Sequence, residues 1–135
     1  MESQSASAVE GIITQLSAHS VRETLDRLQR AIRGQGLTVV AHIDHRANAE
    51  SAGLHMQDAQ VLIFGNPKAG TPLMVASPLL ALDLPLRALV WQDFIGKVWV
   101  SYTDPAFLAR RYAIPDDLVG NIAGISGLVD TAVGT

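Results

Sequence analysis

The sequence predicts an α+β fold, a two-layer domain whose mainly antiparallel sheet carries its helices on one face. Three observations lead there. One amphipathic helical stretch is followed by several short β-rich runs punctuated by proline and glycine. Two of those runs form a hairpin with a self-consistent register. Charged residues make up only 17% of 135 residues while the AVILMFWYC set makes up 48%, so an apolar surplus must be covered by a buried sheet or a subunit interface. The expected division is a frayed tail over residues 1–8 and a single α+β domain over residues 9–135.

Taking the elements in order, residues 9–17 read as a strand through Ile12, Ile13 and Leu16. Ser20 with Glu23 is a capping box opening a helix. Val21, Leu25, Leu28 and Ile32 form its apolar stripe, Glu23/Arg27 and Asp26/Arg30 stand at i,i+4 on the wet side, and Gly34 and Gly36 stop it. Residues 37–45 follow as a strand with Leu37, Val39, Ala41 and Ile43 on one face and Thr38, Val40, His42 and Asp44 on the other. A short helical or irregular segment, 47–53, leads to a strand at 59–65 and a loop at 66–71. There Thr71 is placed to cap a short helix whose first residue is Pro72. Pro78 and Pro85 break the chain again.

Residues 86–93 and 97–103 then read as a hairpin around Phe94, Ile95 and Gly96, with glycine at the left-handed position. This register sets Trp91 opposite Trp99 and Asp93 opposite Lys97. It puts Ala88, Val90, Val98, Val100 and Tyr102 on the core face. Asp104 caps a helix to Tyr112, and after Pro115 a helical face of Leu118, Ile122, Ile125 and Val129 is interrupted by Gly120, Gly124 and Gly127, each costing about 1 kcal/mol in a helix interior.

Composition narrows the function. The absence of cysteine excludes thiolate catalysis, disulfide scaffolds and cysteine-ligated metal. A net charge of −3 with ten Lys plus Arg weighs against nucleic acid, which calls for a basic face. The apolar runs, such as Val61 through Phe64, fall far short of the ~20 residues of a membrane span. No basic stretch leads into an apolar one near the N-terminus, so a cytoplasmic protein without membrane contact is expected.

Four strings carry a family resemblance: Ile43-Asp-His45; Phe64-Gly-Asn-Pro-Lys-Ala-Gly-Thr71 with Leu73-Met74; Leu82-Asp-Leu-Pro-Leu86 with Val90-Trp91; and Lys97-Val-Trp-Val-Ser-Tyr102 with Asp104-Pro105. In this order, over roughly residues 9 to 112, the chain resembles the domain-of-unknown-function family numbered 302. The resemblance implies a compact α+β fold similar to the TATA-binding-protein-like β-α-β(4)-α layout, commonly dimeric and found in bacteria and archaea. It implies no reaction. The glycine-rich part after Pro115 departs from the family pattern.

The candidate site residues are few. His42 and His45 point to opposite faces of a regular strand, so no metal site is expected; His45 reads as a hydrogen-bonding residue at a strand end or as an acid–base or ligand-binding group. Asn66 and Lys68 have what a small anion or carboxylate would need beside a helix start, although the same loop reads as a turn with Asn66 bonding nearby backbone. Met74 reads as core filling. Leu89, Trp91 and Trp99 share the second sheet face and are interface candidates, with packing under a helix or stacking of a planar ligand as alternatives. The leading reading is a homo-oligomer, a dimer, that binds a small ligand or partner without established catalysis, and the sequence leaves any cofactor unknown. The alternatives are an enzyme of unknown reaction using His45 and Asp83 near the Asn66–Lys68 loop, and a purely structural interaction module.

Overall fold

The structure, a computed structural model, describes residues 9–134; the tail expected at residues 1–8 lies outside them. The elements are β1 Ile12–Leu16, α1 Val21–Gly34, β2 Thr38–Asp44, α2 His45–Ser51, β3 Ala59–Gly65 and α3 Pro67–Ala76. A 3₁₀ turn at Pro78–Asp83 leads to β4 Leu86–Gln92, β5 Val98–Thr103 and α4 Pro105–Arg111. A second 3₁₀ turn at Asp116–Leu118 precedes α5 Gly120–Ala123 and α6 Ile125–Val133. All strand pairs are antiparallel and the sheet is open, ordered β1-β5-β4-β3-β2. This is the expected α+β fold, with the β-α-β(4)-α order kept and α2 and α3 inserted between strands.

Helix α1 forms as its sequence requires. The Ser20 hydroxyl accepts the Glu23 backbone N–H at 3.1 Å, and Val21, Leu25, Leu28 and Ile32 are buried. They pack with α6 on the sheet face built from Leu62, Phe64, Ala88, Val90, Val98, Val100 and Tyr102. The hairpin register is also as expected: Trp91 pairs with Trp99 and Leu89 with Ser101, and Gly96 takes φ +92°. A second apolar cluster, Leu73, Leu80, Leu108, Ile114 and Ile122, sits where α3, α4 and α5 gather.

Several expectations are corrected. A register shift between Val39 and Ala41 bulges β2, so Leu37 and Val39 pack on the core while Val40 is 60% exposed. The two faces therefore change over at Val40 and do not alternate through the whole strand, because a bulge leaves one residue unpaired. Helix α3 starts at Pro67, capped by Asn66, and Pro72 lies inside it. The cap-plus-proline pattern occurs twice in succession, and the earlier copy, directly at the end of β3, prevails. Arg27 does not serve Glu23. Its guanidinium donates to the carbonyls of Thr131, Ala132 and Gly134 at 3.0–3.1 Å. Unpaired carbonyls at the end of α6 are a stronger call on a guanidinium than an exposed carboxylate, since surface ion pairs are worth ~0–1 kcal/mol. Glu23 lies instead 3.7 Å from Arg30.

Candidate functional site

The antiparallel pairing decides which candidate residues can meet. Asp44 pairs with Gln60 at one end of β2 and β3, and Thr38 with Gly65 at the other. His45, which opens α2, is therefore separated from Asn66 by the length of one seven-residue strand, about 20 Å at the usual rise. His45 is exposed, and so is Lys68. Asn66 uses its side-chain oxygen to accept the Lys68 backbone N–H at 2.8 Å. Asp83 accepts the Tyr112 hydroxyl and lies 3.7 Å from the Arg111 guanidinium, which itself stands over the Tyr112 ring. The bond to Asp83 pushes the Tyr112 phenol up from its ordinary value, because the phenol must keep its proton to donate to the carboxylate, and ionisation would in addition set two anions against each other. These three residues fasten the end of α4 to the 3₁₀ turn before β4. Asn66 and Asp83 thus share one end of the sheet, and His45 belongs to the other.

The same end holds a groove of about 1030 Å³ that sequence reasoning missed. Its walls are the end of α1, the start of β2, α3, the Leu84–Pro85 turn, and α5 with α6. Phe64 and Leu73, both fully buried, belong to its lining, as do Asn66 and the half-buried Met74. Among the described residues no charged side chain lines it, and Lys68 and Asp83 stand outside. One wall carries Gly120, Gly124 and Gly127. A Cβ added at any of the three would meet nothing within 4 Å, and none has a positive φ. Neither backbone conformation nor crowding within the chain demands glycine there, yet each lowers helix propensity by about 1 kcal/mol. Their spacing, i, i+4 and i+7, places them on one side of a helical turn and opens the groove against that wall. The signal was present in the sequence as a glycine row opposite the Leu118, Ile122, Ile125 and Val129 stripe.

The second sheet face holds the interface candidates. Helices α1 and α6 pack on the other side, and Leu89, Trp91 and Trp99 are half-buried. By register Val61, Ile63, Ala41 and Ile43 continue the same surface. The indoles stack with centroids 6.4 Å apart and planes at 27°. Each indole N–H has a partner within the chain: Trp91 donates to the Ser101 hydroxyl and Trp99 to the Asp93 carboxylate, both at 2.9 Å. Asp93 accordingly uses its carboxylate on Trp99 and on backbone N–H groups of the turn, not on the Lys97 ammonium. The Trp99 indole first, with the Lys97 and Ile95 backbone N–H groups, holds this carboxyl below the ordinary aspartate value of 3.8.

A folded-state value below the unfolded one stabilises the ionised native form above the unfolded value, and that contribution disappears as the pH falls through the folded one. Asp93→Asn will therefore lower the melting temperature at neutral pH, with the gap to wild type closing below about pH 3.8. A gap that stays constant between pH 7 and pH 3 would show that the charge on Asp93 plays no part.

Among the described residues no group of three or more His, Asp and Glu is placed to hold a metal ion, and no helix is long and apolar enough to cross a membrane. Residues 13–131 match the family described as Domain of unknown function DUF302. This chain belongs to the DUF302 family. A crystal structure of an uncharacterized conserved DUF302 protein from Bacillus stearothermophilus shares the fold, with a TM-score of 0.76 at 18% identity over 93% of this chain and 97% of that one. The DUF302 chain is also 44% identical over 104 residues to proteins named fluoride-specific ion channel FluC 1 in Brucella suis and FluC 2 in Brucella melitensis. The matched stretch is 77% of this chain and 41% and 38% of those proteins respectively, so the chain spans about two-fifths of their length.

Proposed function

We propose that this DUF302 chain is a binding module that takes a small, uncharged, largely apolar molecule in the groove. The observation that carries this reading is the uncharged lining, with its three glycines facing open space. A volume of about 1030 Å³ is at the upper end of what small-molecule sites occupy, about 300–1,000 Å³. Asn66, Asn121 and the threonines of the lining supply the few polar groups that orient a ligand in such sites.

The neutral probe N-phenyl-1-naphthylamine tests the proposal. Wild type will bind it saturably, and Gly124→Leu, which fills the wall, will weaken binding about ten-fold or more by displacing the probe from about one leucine's volume of buried contact. Gly124 has helical backbone angles, so this variant will melt at or above the wild-type temperature. Absence of saturable binding, or equal binding by the variant, would refute the groove as the site.

We infer also that two copies pair through the sheet face opposite α1 and α6. Its indole N–H groups are already satisfied internally, so covering the face orphans neither donor. Five strands about 4.8 Å apart and about 20 Å long offer about 500 Å² per copy, or about 1,000 Å² for a pair, the threshold of a specific interface.

A second reading concerns where the module works, and the match to the Brucella proteins favours it. Channels lie in membranes, whereas the matching domain has no spanning helix among its described residues. We infer that the pore of those proteins falls to their remaining three-fifths and that a DUF302 domain works beside a membrane channel for fluoride.

A further inference from the structure

The end of the sheet opposite the groove exposes large apolar side chains on a well-tied frame. Phe94 is 92% exposed and Ile95 73%, side by side at the tip of the β4–β5 hairpin. The turn that holds them is heavily bonded. The Asp93 carboxylate accepts the Ile95 and Lys97 backbone N–H groups at 3.0 and 2.9 Å. The Asp93 N–H reaches the Lys97 carbonyl, the Gly96 N–H reaches the Asp93 carbonyl, and the Gln92 amide donates to the Gly96 carbonyl at 3.2 Å. A solvent-facing turn with this much support ordinarily presents polar residues. The loop between α2 and β3 lies at the same end, since Ala59 pairs with Trp91, and it exposes Leu54 (63%) and Met56 (43%).

We propose that this end of the molecule docks on a lipid bilayer, with Phe94 and Ile95 entering the interfacial layer. The proposal rests on the reading that the domain works beside a membrane channel. Three features favour lipid. The backbone N–H groups of residues 93, 95, 96 and 97 are bonded within the turn, so at the tip Phe94 alone brings an N–H without a turn partner, which keeps the main penalty for backbone in lipid small. The Asp93 carboxylate is held by the Trp99 indole as well as by the turn, and the exposed Lys97 stands at the base of the tip, where a long cationic side chain can extend to head groups. The apolar residues come from two separate loops. A fluid bilayer takes such a pair of projections without a shaped receptor, and peripheral docking of this kind requires no spanning helix.

Vesicle flotation of the full chain tests it, using empty phosphatidylcholine vesicles with and without about one-quarter phosphatidylglycerol, enough to supply a negative surface, and the same vesicles carrying the full-length Brucella suis relative. The expected result is flotation with both kinds of empty vesicle. The double variant Phe94→Ser, Ile95→Ser should reduce the bound fraction about ten-fold or more, because two large apolar side chains lose their transfer into lipid. Both residues are exposed, so the variant will retain the wild-type melting temperature. Undiminished flotation of the double variant, or flotation only with phosphatidylglycerol, would overturn insertion of the tip. Flotation only with vesicles carrying the relative would also overturn it, by making the partner a protein, while leaving the channel-side reading standing. Flotation with none of them overturns both.

Discussion

Phe64→Ala will lower the unfolding free energy by about 3–5 kcal/mol, the range for emptying an aromatic site in a packed core. Phe64 is fully buried on β3, where Val39 and Leu86 are its neighbours across two strand pairs. It packs in the cluster shared by the sheet, α1 and α6, and forms part of the groove lining. The strands on either side are fixed by their ladders, so the space cannot close by moving backbone, and the cavity term adds to the lost transfer energy. Phe94→Ala makes the same chemical change at a residue 92% exposed and will alter stability by no more than about 0.5 kcal/mol. Urea unfolding of the two variants measures both values. A Phe64→Ala loss under about 1.5 kcal/mol, within the range of a single core methylene, would mean that α1 and α6 collapse onto the vacant site and that the groove floor is soft.

Which parts of this structure were legible in the sequence follows from which parts are governed by local chemistry. Helix α1 was legible because its cap, stripe and terminating glycines agree, and each works within a few residues. The β4–β5 hairpin was legible because one register satisfies Trp91 with Trp99 and leaves a glycine at Gly96. The bulge at Val40 was not, since Val39, Val40 and Ala41 are three successive apolar residues that suit either face, and only pairing with β3 shows the shift. The start of α3 was ambiguous between two equally good cap-plus-proline patterns. The role of Arg27 depended on the end of α6 arriving beside it from 105 residues away. The groove was legible in part: Gly120, Gly124 and Gly127 stood out as a cost to the helix, but which side of that helix they occupy, and that it faces a space, are properties of the assembled fold. The separation of His45 from Asn66 required strand pairing as well, because sequence order alone leaves both near β3.

Leu89→Arg will convert the proposed dimer to a monomer, weakening association by about 100-fold or more. Leu89 lies on β4, with Ser101 of β5 on one side and Val61 of β3 on the other, and Trp91 follows on the same face. An arginine here would carry a charge into the middle of an apolar surface where Arg87 is already a neighbour on the same side of the strand. Breaking the match between a buried charge and its surroundings costs about 3–5 kcal/mol, equivalent to two or more orders of magnitude in a dissociation constant. In the monomer the same arginine reaches water, so the fold itself is spared. Leu82→Arg is the control. Leu82 is 73% exposed in the 3₁₀ turn before β4, away from the sheet face, and its replacement will leave the assembled mass unchanged. Trp91→Ala will shift the equilibrium in the same direction as Leu89→Arg by removing one ring of the stacked pair, and less strongly, because it introduces no charge. Sedimentation equilibrium over a range of protein concentrations distinguishes these cases. A wild type that stays monomeric at high concentration, or a folded Leu89→Arg with the mass of wild type, would show that the face is not where two copies meet. The indole donors would then be satisfied for the stability of the hairpin alone.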